Sequence, residues 1–188
     1  MKIQDIEKLY ELGFICIPIK DNKAPLFDLN LIKKTHSIEN FNNLRPSNHH
    51  AIMTGFNDLE VVDIDRVDNI DGILKKLRIN ITDFEKKVVV KTTRSGGIHL
   101  LYQNGKVEGN RRLTNQIDIK GNKGYICMYG SYSDYNHIQY ITDLERKTIF
   151  DICQNSQATD IETCCNAICD EKVHSEKSVY CKFHASMY

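Results

Sequence analysis

The sequence predicts a mixed α/β (α+β) fold, in which helices and strands alternate and strands dominate the second half. Apolar residues recur at helical spacing in some segments, and short apolar, β-branched runs lie between turn-forming residues in others. The 188 residues, 41% of them hydrophobic, suffice for one main domain with its own core. No stretch approaches the ~20 apolar residues of a membrane span, and the charged start lacks signal-peptide features. We therefore expect an intracellular protein, in the cytoplasm or nucleus of a host cell, with no membrane partner.

In the first part of the chain, the sequence pattern predicts helices and strands in alternation. Gly13 follows apolar residues at helical spacing, as a helix C-cap does, and Lys20-Asp21-Asn22 stops the strand that comes next. The turn-rich segment 55–58 joins two apolar runs that we expect to be neighbouring strands. The predicted elements are helix 3–12, strand 14–19, helix 37–44 and strands 50–54 and 59–64.

The second part begins with a helix and continues mainly as strands. Ile70, Ile73, Leu74 and Leu77 recur at helical spacing, and Asp68 is the candidate N-cap. The predicted strands are 87–93, 98–102, 116–119, 125–129 and 137–141, and a helix follows at 144–153.

Charge is unevenly distributed, although 25 basic residues balance 25 acidic ones. Segment 60–71 carries five acids and one Arg, whereas 91–123 carries seven basic residues and two acids. This order suits a site that holds cations and then polyphosphate. Alternatively, the acidic and the basic segment are simply two solvated surfaces of a neutral protein.

Two carboxylates end the strand predicted at 59–64. Asp63 and Asp65 are two positions apart, so strand geometry places them on one face, where unpaired negative charges would repel. Mg²⁺ or Mn²⁺ would balance them, because these ions take carboxylate oxygens and leave positions for water and phosphates. The pair is equally compatible with a sugar-nucleotide transferase or a surface loop.

A Gly-rich turn follows about thirty residues later. Gly96 and Gly97 allow positive φ and close backbone approach, so amides, the Ser95 hydroxyl and the Arg94 charge can meet phosphate oxygens. His99 would lie just inside the next strand. A simple hairpin is the alternative.

A single acid, Asp118, lies between two isoleucines on a later strand. It points away from its apolar neighbours, toward solvent or a site, and a turn with Lys120 and Lys123 follows.

The three patterns together, in this order and spacing, resemble the archaeo-eukaryotic primase superfamily. More narrowly, they resemble the primase-polymerase (prim-pol) domain at the N terminus of bifunctional plasmid and viral replication proteins. Similar stretches occur at 13–19, Lys23-Ala24-Pro25, 51–55 and 124–126. The family often has a Pro-Ser turn after Gly124-Tyr125, which this chain lacks.

The resemblance implies an α/β module joined to an RRM-like antiparallel sheet, with the active site in the cleft between them. It implies that Asp63, Asp65 and Asp118 are the catalytic carboxylates and bind two Mg²⁺ or Mn²⁺ ions. The implied nucleotide-binding residues are Arg94, Ser95, Gly96, Gly97, His99 and Lys120.

The implied function is template-dependent nucleotidyl transfer by a DNA primase/polymerase that replicates a virus or mobile element. Its partners would be single-stranded DNA template, dNTPs or NTPs and a separate helicase, because no G-x-x-x-x-G-K-[ST] motif occurs. Two alternatives are a single-stranded nucleic-acid-binding module of the same fold with weak catalysis, and a D-x-D sugar-nucleotide transferase.

The composition changes near residue 155, which predicts a prim-pol domain at 1–154, a linker at 155–163 and a zinc knuckle at 164–188. The tail contains a C-x4-C-x11-C-x2-H pattern, typical of short structural Zn²⁺ sites. Its ligands would be Cys164, Cys169, Cys181 and His184. Cys165 could replace Cys164, His174 is a spare ligand, and a reduced, disordered tail is the alternative.

Overall fold

A computed structural model describes residues 3–26, 49–66 and 69–156. The helices are α1 (Ile3–Glu11), α2 (Ile70–Asn80), the single turn α3 (Phe84–Lys87) and α4 (Asp143–Asn155), with a 3-10 helix at Tyr132–His137. The strands are β1 (Cys16–Ile19), β2 (His49–Met53), β3 (Leu59–Ile64), β4 (Val89–Thr92), β5 (Ile98–Gln103), β6 (Arg111–Thr114), β7 (Ile117–Lys120) and β8 (Tyr125–Cys127).

The strands form two antiparallel sheets. One has three strands in the order β1-β2-β8, and the other has five in the order β4-β5-β3-β7-β6. Helices and two antiparallel sheets together confirm the predicted mixed α+β class. Among the described residues, no helix is long and apolar enough to cross a membrane.

The five-stranded sheet is covered on both faces. Val62, Ile64 and Leu100 point to one face and form a core with residues of α2, α3 and α4. Val61 and Leu101, from the alternate positions, point to the other face. There they pack with residues of the three-stranded sheet, α1 and the 3-10 helix, so the two sheets face each other across a second core.

A buried ion pair fixes α4 on the helical face. Glu60 is fully buried, and its carboxylate accepts hydrogen bonds from Arg146 Nε (2.6 Å), Arg146 Nη2 (2.7 Å) and the Tyr102 hydroxyl (2.8 Å). The guanidinium also lies over the Phe150 ring. Glu60, which belongs to the acidic segment 60–71, therefore faces away from the carboxylates that follow it.

The sheets are joined where the chain crosses between them. Thr54 N–H donates to Gly124 O (3.0 Å), and its hydroxyl donates to Gly121 O (2.5 Å). Gly55 has φ +81° and lies so close to Asn122 that a Cβ would stand 2.4 Å from its side-chain oxygen. The prediction that 50–54 and 59–64 are neighbouring strands was wrong, because the chain leaves one sheet at this joint and enters the other.

Two other predicted details differ from the structure. Segment 137–141 is not a strand, because the 3-10 helix ends at His137 and the apolar residues Ile138 and Ile141 enter different cores. Helix α2 is capped by Asn69, whose side chain accepts a hydrogen bond from Gly72 N–H (3.1 Å), and not by Asp68. The helix predicted at 37–44 lies outside the described residues.

Candidate active site

A row of polar side chains crosses the five-stranded sheet on the face that meets the other sheet. Each member is the direct cross-strand partner of the next. Directly paired residues share a face, with their Cβ atoms about 5 Å apart. In the order β4-β5-β3-β7-β6, the row is Lys91, His99, Asp63, Asp118 and Arg112.

The row is covered at one end and open at the other. Lys91 is buried, pairs with Asp134 and lies over the Tyr135 ring, which fastens the 3-10 helix above β4. At the opposite end the Arg112 side chain is 69% exposed. Asp63 and Asp118 lie between these ends, with side chains 25% and 33% exposed. The two carboxylates are therefore accessible from the side of β7 and β6.

Lys120 compensates the two facing carboxylates. Its Nζ lies 2.8 Å from Asp118 Oδ2 and 3.9 Å from Asp63 Oδ2. The Lys120 hydrogen bond holds the pKa of Asp118 below its usual range, with a further contribution from Arg112. Like charges opposite each other on adjacent strands repel, so the ammonium group stabilises the pair.

A cavity of about 410 Å³ opens beside these carboxylates, between the two sheets. Its size falls within the range of small-molecule sites. Five of the residues predicted for the site line it: Asp63, Asp65, Ser95, His99 and Lys120. Two further lysines, Lys23 and Lys123, also line it. Carboxylates and ammonium groups thus share one small volume.

The Gly-rich turn presents hydroxyls to this cavity rather than amides. Gly96 N–H donates to Thr93 O (3.1 Å) and Gly97 N–H donates to Thr93 Oγ1 (3.0 Å), so both amides are used within the turn. A Cβ on Gly97 would lie 2.3 Å from the Ile64 carbonyl oxygen. The close approach predicted for this glycine is therefore to β3, while Thr93 and Ser95 face the cavity.

His99 is held between Asp63 and an aromatic ring. Its Nε2 lies 3.3 Å from Asp63 Oδ1, and its ring centroid is 5.6 Å from that of Tyr129. The side chain is 5% exposed, and within the described part of the chain its Nδ1 has no hydrogen-bond partner. A buried imidazole nitrogen normally has one, so a ligand or water in the adjoining cavity would complete it.

Four predicted site residues do not line the main cavity: Gly96 and Gly97 of the turn, Asp118 and Arg94. Asp118 belongs to the polar row and contacts Lys120 but does not line the cavity. Arg94 lines a smaller cavity next to it.

Sequence analysis did not assign Lys23 and Lys123 to the site. Both have left-handed backbone conformations, with φ 66° and 69°, which are uncommon for a residue with a long side chain. Such strain concentrates at functional sites. Each of these lysines directly follows an Asn, Asn22 or Asn122, in a turn. This position was the feature of the sequence that could have indicated an exposed lysine side chain.

The fold places clustered carboxylates and lysine ammonium groups around one cavity between two antiparallel sheets. The family model "Bifunctional DNA primase/polymerase, N-terminal" (Prim-Pol) matches residues 7–148. The chain therefore belongs to the Prim-Pol family of primase/polymerase-type nucleotidyltransferases, which confirms the resemblance found in the sequence. A domain of this family acts on nucleic acid and nucleotides. A comparison with curated proteins gives no match.

Members of the family generally use divalent metal ions. In the described ranges, no three His, Cys, Asp or Glu side chains are grouped so as to hold one. The donor chemistry nevertheless fits, because Asp63 and Asp65 line one cavity, Asp118 faces Asp63, and carboxylate oxygens are the ligands that Mg²⁺ and Mn²⁺ prefer. Lys120 supplies the positive charge in this arrangement.

Proposed function

We propose that the chain is a template-dependent DNA primase/polymerase and that nucleotidyl transfer takes place in the cavity between the two sheets. One observation carries the proposal: Asp63 and Asp65 share that cavity with Lys23, Lys120 and Lys123. Nucleotidyl transfer needs both kinds of group, carboxylates for cations and positive charges for the triphosphate.

The carboxylates Asp63, Asp65 and Asp118 would hold the catalytic cations. Bound there, two divalent ions would supply charge stabilisation for the attacking 3′-oxygen and for the departing pyrophosphate. The bond from the 3′-oxygen to the α-phosphorus forms as the bond to pyrophosphate breaks, and the hydroxyl proton leaves to water. Lys120 already neutralises two of these carboxylates, so it keeps them close together before cations arrive.

The lysines and hydroxyls of the cavity bind and orient the nucleotide. Lys23 and Lys123 offer charge to phosphate oxygens. The Thr93 and Ser95 hydroxyls lie 3.1 Å apart and share one hydrogen bond, so the pair has one O–H left to donate to the nucleotide. Their side chains reach the cavity from turns whose backbone is fixed by internal hydrogen bonds. A preorganised set of donors binds the triphosphate with little reorganisation.

His99 connects the carboxylates with the nucleotide. Its Nε2 contacts Asp63, which orients the ring, and its Nδ1 is the group available to a ligand in the cavity. A hydrogen bond from Nδ1 to a phosphate oxygen would place the triphosphate next to Asp63. The Tyr129 ring keeps the imidazole in this orientation.

The wider biological setting follows from the family resemblance. The template would be single-stranded DNA, the substrates dNTPs or NTPs, and unwinding the task of a separate helicase during replication of a virus or mobile element. The segment 164–188, for which the sequence predicts a zinc knuckle, lies outside the described residues. We expect it to bind one Zn²⁺ and to assist template binding, and metal analysis of the purified protein tests this.

The experiment compares primer synthesis and primer extension on single-stranded template, with dNTPs and NTPs in parallel and with Mg²⁺ or Mn²⁺. Asp63→Asn and Asp65→Asn preserve side-chain size and remove the charge. We expect each to lower nucleotide incorporation at least about a hundredfold, because cations would lose a charged ligand. Asp151→Asn is the matched control, since this exposed Asp on α4 has only a long contact with Lys147 (3.9 Å).

Thermal unfolding should show that all three variants remain folded. Wild-type incorporation by either cavity variant would refute the assignment. Tight single-strand binding without incorporation by the wild-type protein would favour the binding-module alternative.

A further inference from the structure

A second, smaller cavity of about 70 Å³ adjoins the main one. Lys23, Cys127 and Tyr129 line both cavities and form the wall between them. Lys23 interacts with the side chain of Tyr129 within this wall. The small cavity therefore continues the candidate active site rather than forming a separate surface pocket.

Basic residues outnumber acidic ones in the lining of the small cavity. Lys20, Lys23 and Arg94 contribute side chains, together with His49. The one acidic lining residue is Asp21, which is 97% exposed and lies 3.3 Å from His49 Nε2. Three basic side chains against one acid leave the lining with a net positive charge.

His50 lies at the buried side of this cavity. The residue is 8% exposed, and Nδ1 has no hydrogen-bond partner among the residues described here. Burial, with a smaller contribution from neighbouring His49, lowers the pKa of His50 to about 4. The imidazole is therefore neutral at pH 7, and it offers a hydrogen-bonding nitrogen without adding charge.

Three features together indicate what the cavity can hold. Its positive lining selects an anion, its orphan nitrogen requires a hydrogen-bonding partner, and its volume is far below that of a site for a whole nucleotide. A single phosphate group meets all three conditions. Its oxygens can accept hydrogen bonds from Arg94 and Lys20 and from an N–H of a neutral imidazole.

We propose that the small cavity is a second phosphate subsite, in which Arg94, Lys20 and His50 bind one phosphate group next to the nucleotide in the main cavity. The group belongs to a bound nucleic-acid strand or to a second nucleotide, and the chemistry of recognition is the same for both. Arg94 thus contacts a different phosphate from the one that Ser95 and His99 contact. This inference rests on the proposed function only for the identity of the neighbouring ligand.

The test measures binding without turnover, in metal-free buffer. Arg94→Gln and Lys20→Gln remove one charge each from the cavity, and Lys75→Gln removes one from the exposed face of α2 as a matched control. One arm titrates a labelled short oligothymidylate over a range of salt concentrations, and the other titrates a nucleoside triphosphate. Thermal unfolding checks that the variants are folded.

We expect Arg94→Gln to weaken binding about tenfold in one arm, and Lys75→Gln to change neither. In the oligothymidylate arm, the slope of log K against log salt should fall by roughly 0.7, the value for one lost phosphate contact on a single strand. Loss in that arm identifies a strand phosphate, and loss only with the triphosphate identifies a nucleotide phosphate. Unchanged binding of both ligands by Arg94→Gln and Lys20→Gln would overturn the proposal.

A second measurement locates the anion. Inorganic phosphate should shift the NMR signals of the His50 ring in the wild-type protein and leave them unchanged in Arg94→Gln. Failure of the subsite and failure of the proposed function are separable, because these measurements need no incorporation. Incorporation by Asp63→Asn would refute the chemistry alone, whereas unaltered binding of both ligands by Arg94→Gln and Lys20→Gln would remove the subsite alone.

Discussion

Replacement of Lys120 by methionine tests whether its ammonium group takes the place of a cation between the two carboxylates that we propose to be catalytic. The Lys120 Nζ contacts Asp118 at 2.8 Å and Asp63 at 3.9 Å, and these two acids are direct cross-strand partners. Methionine retains most of the aliphatic stem and removes the charge. The variant therefore leaves the two carboxylates facing each other without their common counter-charge.

The magnitude follows from the exposure of the three groups. All are a quarter to a third exposed, so each contact lies near the upper end of the 0.2–1 kcal/mol measured for accessible ion pairs. The loss of both contacts, together with the repulsion between the carboxylates that is then no longer compensated, should lower the free energy of unfolding of the metal-free protein by about 1–2 kcal/mol. For a chain of this length, that corresponds to a fall in Tm of about 2–8 °C.

Cation binding should change in the opposite direction. A bound ion restores the lost compensation without first displacing an ammonium group, so we expect Mn²⁺ to bind about tenfold more tightly, equivalent to about 1.4 kcal/mol. The assay is titration with Mn²⁺ in the absence of nucleotide, followed by calorimetry or by the signal of free Mn²⁺. Lys75→Met on α2 is the control for loss of one positive charge.

Two results would refute this reasoning. If Lys120→Met binds Mn²⁺ no more tightly than the wild-type protein, the ammonium group does not compete for the cation site. If its Tm equals that of Lys75→Met, the two contacts contribute no stability. Both results together would leave Lys120 as a phosphate contact only.

Three further predictions concern stability and geometry. Glu60→Ala should lower the free energy of unfolding in urea by about 3 kcal/mol or more, because it leaves a partly buried guanidinium unpaired; a loss below about 1 kcal/mol would contradict this. Gly97→Ala should cost about 1–3 kcal/mol and reduce incorporation, because its Cβ would overlap the last carbonyl of β3, whereas Gly105→Ala, with open space around it, should do neither. The pKa of Asp118 is lowered in the folded protein, so its ionised form stabilises the fold above the unfolded pKa. Asp118→Asn should therefore be less stable than wild type at pH 7, and the difference should begin to shrink as pH falls below about 4, the pKa of an unfolded Asp, and vanish below the lowered folded pKa; a difference that stays constant at every pH below about 4 would exclude this cause.

Much of the site could be predicted because its residue types are unusual where they occur. Asp63 and Asp118 interrupt apolar strands, and both belong to the polar row. The sequence did not contain the strand register, which depends on long-range pairing. For this reason the contact between His99 and Asp63 and the role of Lys120 as a shared counter-charge emerged only from the structure.

The parts of the fold that were missed share a physical cause. Strand β6 has a largely exposed, Arg-rich sequence without apolar alternation, and its pairing with β7, together with packing of Leu113 on the larger core, determines it. Segment 137–141 has apolar residues, but they serve two different cores. The turn at 55–58 resembles a hairpin, yet positive φ at Gly55, Asn57 and Asp58 directs the chain into the other sheet. The local sequence pattern does not indicate which distant part of the chain a residue packs against.

The polar row also connects the register of strand β3 with the positions of the carboxylates. Alternate residues of a strand point to opposite faces, so a slip of β3 by one position would exchange Asp63 for Val62 or Ile64. The same slip would bury a carboxylate among the side chains of α2 and α4 and expose an aliphatic group to the cleft. Because Val62 and Ile64 belong to the larger core, the hydrophobic effect that selects the native register also aligns the carboxylates. A molecule in which these polar groups were misaligned would thus be unstable, and correct packing of the core selects the correct arrangement of the polar row.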